Sequence, residues 1–225
     1  MPLAAVVFDL YGTLLAIDSM QSHVAAASVR NPVEFVADWR RKQLEYAFLT
    51  TIANAYRDFD ELTADALAFT CEQREVELDS SVMRELAGAW RTMPAYGDVA
   101  PVLHALAARN IPLAVLTNGT PSSANTALEH AGVRELLTDV LSVDSVRAYK
   151  PDPRVYALVT ARFACTPRDV VFVSSNAWDV WGAAAFGFRV AWCNRAGNTF
   201  EILRPLPETT LAGLHELPAF VARAE

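Results

Sequence analysis

Long apolar runs, basic charge and cysteine are all scarce in this chain, and each shortage closes off a class of protein. No stretch approaches the roughly 20 apolar residues that span a bilayer. The N-terminus has no basic leader, and the apolar run Leu3 to Phe8 meets an Asp after a few residues. Lys and Arg number 19 against 26 Asp and Glu, a formal net charge of -7. A nucleic-acid surface needs clustered cations to meet phosphates, so this balance argues against one. The short basic group Arg40-Arg41-Lys42 has Glu34, Asp38 and Glu45 nearby and reads as local pairing on a helix. Cysteine occurs three times, as Cys71, Cys165 and Cys193. An odd number so widely spaced fits neither a disulfide framework nor a zinc site. Three reduced thiols in a reducing compartment are expected. The expectation is a soluble, cytoplasmic protein with no membrane or nucleic-acid partner.

What is present is a repeated pattern. Ala4 to Phe8 is wholly apolar and stops at Asp9-Leu10-Tyr11-Gly12-Thr13. An apolar run ending at a polar, Gly-containing turn predicts a strand buried on both faces. The pattern recurs where 111–116 runs into Thr117-Asn118-Gly119, where 170–173 runs into Ser174-Ser175-Asn176, and where 190–193 runs into Asn194-Arg195. A weaker instance spans 139–143. Helical patterns at 99–109, 122–131 and 153–163 separate these runs. Alternating strands and helices predict an α/β fold: a doubly wound, Rossmann-like parallel sheet whose site lies beyond the carboxyl ends of the strands. Residues 16–97 are glycine-poor and helical in period, broken at Pro32 and at the 93–98 segment. They predict an all-helical insert, a cap over the site. The core is then 1–15 and 98–225, and the cap 16–97.

An Asp directly after a buried strand serves either as a turn cap or as a reactive carboxylate. Its context favours chemistry. Asp9-Leu10-Tyr11-Gly12-Thr13-Leu14, Thr117-Asn118-Gly119, Lys150-Pro151 and Ser174-Ser175-Asn176-Ala177-Trp178-Asp179 resemble the four motifs of the haloacid dehalogenase superfamily. They occur in order, each near a strand end, and the resemblance covers almost the whole chain. Phosphatases of that superfamily carry a second Asp where this chain has Tyr11, and acids where it has Ser-Ser-Asn. Both differences remove carboxylates, which Mg²⁺ prefers; Asp9 and Asp179 still offer two, so the metal is disfavoured. Phosphoryl transfer would also lack its proton donor. With Trp39-Arg40-Arg41-Lys42-Gln43-Leu44-Glu45-Tyr46 added, the chain resembles the L-2-haloacid dehalogenases.

That resemblance implies a set of roles. Asp9 attacks C2 of a short L-2-haloacid and displaces halide, forming an aspartyl ester. Lys150 holds Asp9 ionised; at about 4 Å and an effective dielectric of about 20 the pair interacts by about 4 kcal/mol before desolvation. Arg40 receives the halide. Its helical neighbours Val36, Leu44, Ala47 and Phe48 form an apolar face, whereas Arg41 sits four residues before Glu45 and looks solvated. The family pattern has a glutamine near the substrate at position 41, which makes Arg41 a candidate for the pocket entrance. Thr117, in place of the family's serine, and Asn118 hold the substrate carboxylate. Leu10, Tyr11, Leu44, Phe59 and Trp178 wall the pocket, although Phe59 serves equally as core. Asp179 orients or deprotonates the water that hydrolyses the ester, positioned by Ser174, Asn176 and Lys150. Thr13 bonds the nucleophile, and Tyr156 either joins the network or simply packs.

The reaction so implied inverts C2, giving a D-2-hydroxyacid, and needs no cofactor or metal. The family also implies a homodimer. Alternatives are activity on fluoroacetate, a Mg-dependent phosphatase, and a silent relative used for binding. The acidic chain repels an anionic substrate globally, so attraction must come locally from Arg40 and Lys150.

Overall fold

The computed structural model describes residues 3–224. The predicted strands form where the apolar runs stop: β1 (Ala5–Phe8), β2 (Leu113–Thr117), β3 (Asp139–Ser142), β4 (Val170–Ser174) and β5 (Arg189–Cys193). A sixth, β6 (Thr209–Leu211), is too short and too polar to announce itself. All pair in parallel in the order β3-β2-β1-β4-β5-β6. Every residue of β1, β2 and β4 is buried, as strands covered by helices on both faces require.

Strand β1 lies between β2 and β4, and the chain leaves it in opposite directions on its two sides. That is the switch point at which doubly wound sheets open a crevice. The register aligns Phe8 with Val115 on one side and Val173 on the other. Asp9, Thr117 and Ser174 therefore arrive at one rim.

Helices α1 (Met20–Ala26), α2 (Pro32–Ile52), α3 (Phe59–Gln73) and α4 (Ser80–Gly88) follow β1 without an intervening strand. Helix α2 starts with Pro at its first position, where a missing N–H costs nothing. Asp58 caps α3 by accepting from the Glu61 amide at 2.9 Å. The chain enters and leaves this helical layer at adjoining segments: Ala16 N–H donates to Pro94 O at 2.9 Å and Tyr96 N–H to Leu14 O at 3.0 Å. One apolar cluster runs from the sheet (Val6, Val115, Val171) through Tyr11 into the helices at Trp39, Leu62 and Trp90. It ties the cap to the core.

The core helices are α5 (Val99–Ala107), α6 (Pro121–His130), α7 (Pro153–Phe163), α8 (Ala177–Phe186) and α9 (Leu217–Ala224). Two begin with a side-chain cap followed by Pro: Thr120 at α6 and Asp152 at α7. All three cysteines stand unpaired. Among the described residues, no helix is long and apolar enough to cross a membrane.

Candidate active site

At the rim of β1, β2 and β4, three ionised side chains meet almost without solvent. Lys150 Nζ stands 2.7 Å from Oδ1 of Asp9, 2.7 Å from Oδ2 of Asp179 and 3.1 Å from the Leu116 carbonyl. Lys150 and Asp179 are fully buried, and Asp9 is 5% exposed. Burial pushes the Lys150 ammonium down, but Asp179 and Asp9 outweigh it and hold its pKa above the ordinary lysine value. Burial pushes Asp179 up to about 6, against the pull of Lys150 and with the help of the Asp9 charge.

The other oxygen of Asp9 collects neutral donors. Oδ2 accepts from Asn176 Nδ2 at 2.8 Å, Thr13 Oγ1 at 2.9 Å and Ser174 Oγ at 3.4 Å. Thr13 Oγ1 itself accepts from the Ser175 amide, and Ser174 Oγ from the Asn176 amide. The two loops thus brace each other. The Tyr156 hydroxyl donates to Asp179 Oδ1 at 2.8 Å, and burial beside Asp179 keeps the phenol neutral. Tyr156 therefore belongs to the network as well as to the packing.

On β2, the Asn118 Oδ1 accepts from the Lys150 amide at 3.0 Å, and its Nδ2 has no hydrogen-bond partner among the described residues. Thr117 is buried and its Oγ1 accepts from the Gly119 amide at 3.0 Å, which leaves the hydroxyl proton to donate. Gly119 must be small: a Cβ there would lie 3.1 Å from the Tyr11 ring. Leu10 is fully buried, with its carbonyl accepting from the amides of Leu14 and Leu15.

The cap supplies the opposite wall. Tyr11 packs on Phe59 (6.3 Å between centroids) and Trp90 (5.6 Å). Arg40 lies against the same rings, its Cζ 6.0 Å from Phe59 and 5.6 Å from Trp90. Its Nε is buried without a hydrogen-bond partner among the described residues. Burial brings the Arg40 pKa down to about 10, with Asp9, Tyr11 and Asp179 acting the other way, so the group stays cationic at neutral pH. Leu44, one turn on, is partly buried on the same helix. Trp178 meets Phe48 edge-on at 5.4 Å and stands 6.0 Å from Lys150 Nζ. Beside it an apolar cleft of about 610 Å³ opens between Phe48, Ile52, Tyr149, Trp178, Trp181 and Leu203.

Arg41 is exposed and pairs with Asp38 at 3.2 Å and Glu45 at 3.9 Å, the solvated pairing expected of it. The helical period is the reason: one residue is about 100° of turn, which puts Arg40 inward and Arg41 in solvent. The basic group is accordingly not paired throughout; Arg41 and Lys42 meet acids, while Arg40 donates to Gln43. Sequence reasoning also passed over Gln43 and Trp90. Gln43 was legible from its place three residues after Arg40. Trp90 follows α4 in a single short turn, and no pattern marks it.

Fold and cluster together define a capped α/β enzyme core with a buried carboxylate–ammonium–carboxylate group at the sheet's switch point. A family model described as haloacid dehalogenase-like hydrolase matches residues 3–187, and the chain belongs to that family. It is 40% identical over 209 residues to the (S)-2-haloacid dehalogenase of Pseudomonas sp. strain YL, covering 93% of this chain and 90% of that one. It is 37% identical to (S)-2-haloacid dehalogenase 2 of Pseudomonas sp. strain CBS-3, with 95% and 93% covered. The L-2-haloacid dehalogenase of Xanthobacter autotrophicus with chloropropionic acid covalently bound has the same fold, at TM-score 0.93, 33% identity and 98% of each chain.

Proposed function

We propose that this protein hydrolyses short L-2-haloalkanoic acids to D-2-hydroxyalkanoic acids through an ester on Asp9, without a metal ion. One observation carries the reading: a lysine ammonium, 2.7 Å from both carboxylates, already sits between Asp9 and Asp179. The relatives named as (S)-2-haloacid dehalogenases support the substrate class.

The geometry divides the labour between the two oxygens of Asp9. Oδ2 is saturated by three donors, whereas Oδ1 has only Lys150 and keeps a lone pair. Oδ1 attacks C2 opposite the halogen; the C–O bond forms as the carbon–halogen bond breaks, and halide leaves with its electron pair toward Arg40. A halide needs no proton to depart. Thr117 Oγ1 and Asn118 Nδ2 hold the substrate carboxylate. Water then attacks the Asp9 ester carbonyl, giving its proton to Asp179. The developing charge falls on Oδ2, where Asn176, Thr13 and Ser174 already donate. Pre-set donors of that kind are the main source of stabilisation in acyl hydrolysis. The bond between the Asp9 carbonyl carbon and Oδ1 then breaks, the proton held by Asp179 passes to the departing alkoxide, and the product hydroxyl keeps the oxygen that attacked C2.

The core is 1–15 with 98–225 and the cap 16–97, with the chain crossing between them at 14–16 and 94–96. We also propose a homodimer, supported by the exposed Ile52 and Leu203 that line the apolar cleft; light scattering checks it. We also propose a cytoplasmic location, a reducing compartment that suits three unpaired cysteines.

Halide release from L- and D-2-chloropropionate, with and without EDTA, tests the reaction in the parent and in Asp9→Asn. The expected result is release from the L isomer alone, insensitive to EDTA and absent in Asp9→Asn. Release from neither isomer, with phosphate ester hydrolysis in Mg²⁺, overturns the reading.

A further inference from the structure

Arg40 is anchored by an amide, not by an acid. Its Nη1 donates to Gln43 Oε1 at 2.6 Å, one turn along α2. Gln43 is fully buried. Its Nε2 donates to the Thr63 hydroxyl on α3, and that hydroxyl donates to the Phe59 carbonyl at 2.6 Å.

Each bond in this relay fixes the direction of the next. A carbonyl only accepts, so Thr63 commits its single proton to Phe59. The Thr63 oxygen is then an acceptor, and Gln43 must turn its NH₂ toward it. The amide oxygen is left facing Arg40. The guanidinium is thereby oriented from a backbone carbonyl on the next helix, α3. A carboxylate at position 43 would hold Arg40 equally well but would neutralise it. The amide fixes the geometry and leaves the full charge, together with a buried Nε that has no partner among the described residues. Phe59 and Trp90 line the same space.

We propose that Gln43, acting through Thr63, is a positioning residue that aims the Arg40 guanidinium at the departing halide and keeps its charge uncompensated. This rests on the dehalogenase reading given above. Arginine loses much rotamer freedom when fixed, and an anchor already in place removes that cost from the halide-binding step.

The test uses Gln43→Glu, Thr63→Val and Thr63→Ser. Bromide binding to the resting protein is read by halide NMR line broadening, alongside kcat, KM and melting temperature. In Gln43→Glu the new carboxylate takes the arginine, and bromide affinity and kcat each fall by about tenfold or more, the scale of one charged hydrogen bond, with KM changed less. Thr63→Val moves both in the same direction, and Thr63→Ser, which keeps the hydroxyl, restores them. If Gln43→Glu does not fold, the Thr63 pair decides alone. Parent-like bromide binding and kcat in Gln43→Glu overturn the proposal, as does a Thr63→Ser variant as impaired as Thr63→Val. A parent that releases no halide, yet binds bromide in a way Gln43→Glu abolishes, sustains the positioning role and removes the reaction reading instead.

Discussion

Gly182 stands directly against Tyr156: a Cβ built on the glycine would lie 2.6 Å from the tyrosine hydroxyl and 2.5 Å from Cβ of Pro151. That hydroxyl bonds Asp179, and Pro151 follows Lys150 in the chain. A glycine on α8 thus sets the depth at which the acid and the ammonium meet. Gly182→Ala forces a shift in a packed interior and is expected to cost about 1–3 kcal/mol of stability. Part of that loss should disappear in a Tyr156→Phe background, which removes the nearest oxygen. Urea unfolding of the two single variants and the double variant measures this; strictly additive losses would deny the contact.

The pH profile should carry an acid limb from Asp179. Burial raises its pKa to about 6, and the charge on Asp9 contributes in the same direction. A base works only when deprotonated, so turnover is expected to be lost as pH falls through about 6, well above the ordinary carboxylate range. Esterification removes the Asp9 charge, so Asp179 titrates lower in the intermediate. Where ester hydrolysis limits the rate, the limb in kcat should therefore lie below the value of about 6 that Asp179 has beside the charged Asp9. Initial rates across pH settle both points, with the D-2-hydroxyacid quantified as product.

Lys150→Met leaves two buried carboxylates without their shared cation. Breaking a buried pair in this way costs about 3–5 kcal/mol at neutral pH. Asp179, already raised by burial, rises further when the ammonium is gone. A carboxyl pKa that is higher in the folded than in the unfolded state favours folding as pH falls. The variant should accordingly recover stability relative to the parent as pH falls toward about 6, the value Asp179 holds with the ammonium present. Melting curves at several pH values check this, and a deficit independent of pH would contradict it.

Asp60 fastens the cap to the core. Its Oδ2 accepts from Ser123 Oγ at 2.7 Å, Arg91 Nη2 at 3.0 Å and Thr120 Oγ1 at 3.1 Å, at the start of α6 just beyond Thr117-Asn118-Gly119. It also follows Phe59, which packs on Tyr11 and Arg40. Asp60→Ala should cost about 1 kcal/mol, because the site is partly solvated. It should raise KM several-fold and speed proteolysis within 16–97. Limited proteolysis with and without bromide measures the loosening.

The strands were legible because burial on both faces demands unbroken apolar runs, and the motif residues because each run stops where the chain meets the rim. β6 was not legible: an edge strand of three residues, only the last of them buried, needs no such run. Tyr156 and Phe59 fit either packing or chemistry until the tertiary structure put a carboxylate beside one and a guanidinium beside the other.

By itself, the sequence determined the order of strands and helices, the helical insert, and the acids, lysine and amides that stand at the strand ends. These follow from local periodicity and from residue chemistry, which each short segment carries alone. The tertiary structure decided which of two adjacent arginines faces inward, how Lys150 is shared between carboxylates at positions 9 and 179, and which amide holds Arg40. Those outcomes depend on distances between segments far apart in the chain. Only closing the sheet and seating the cap on it fixes them.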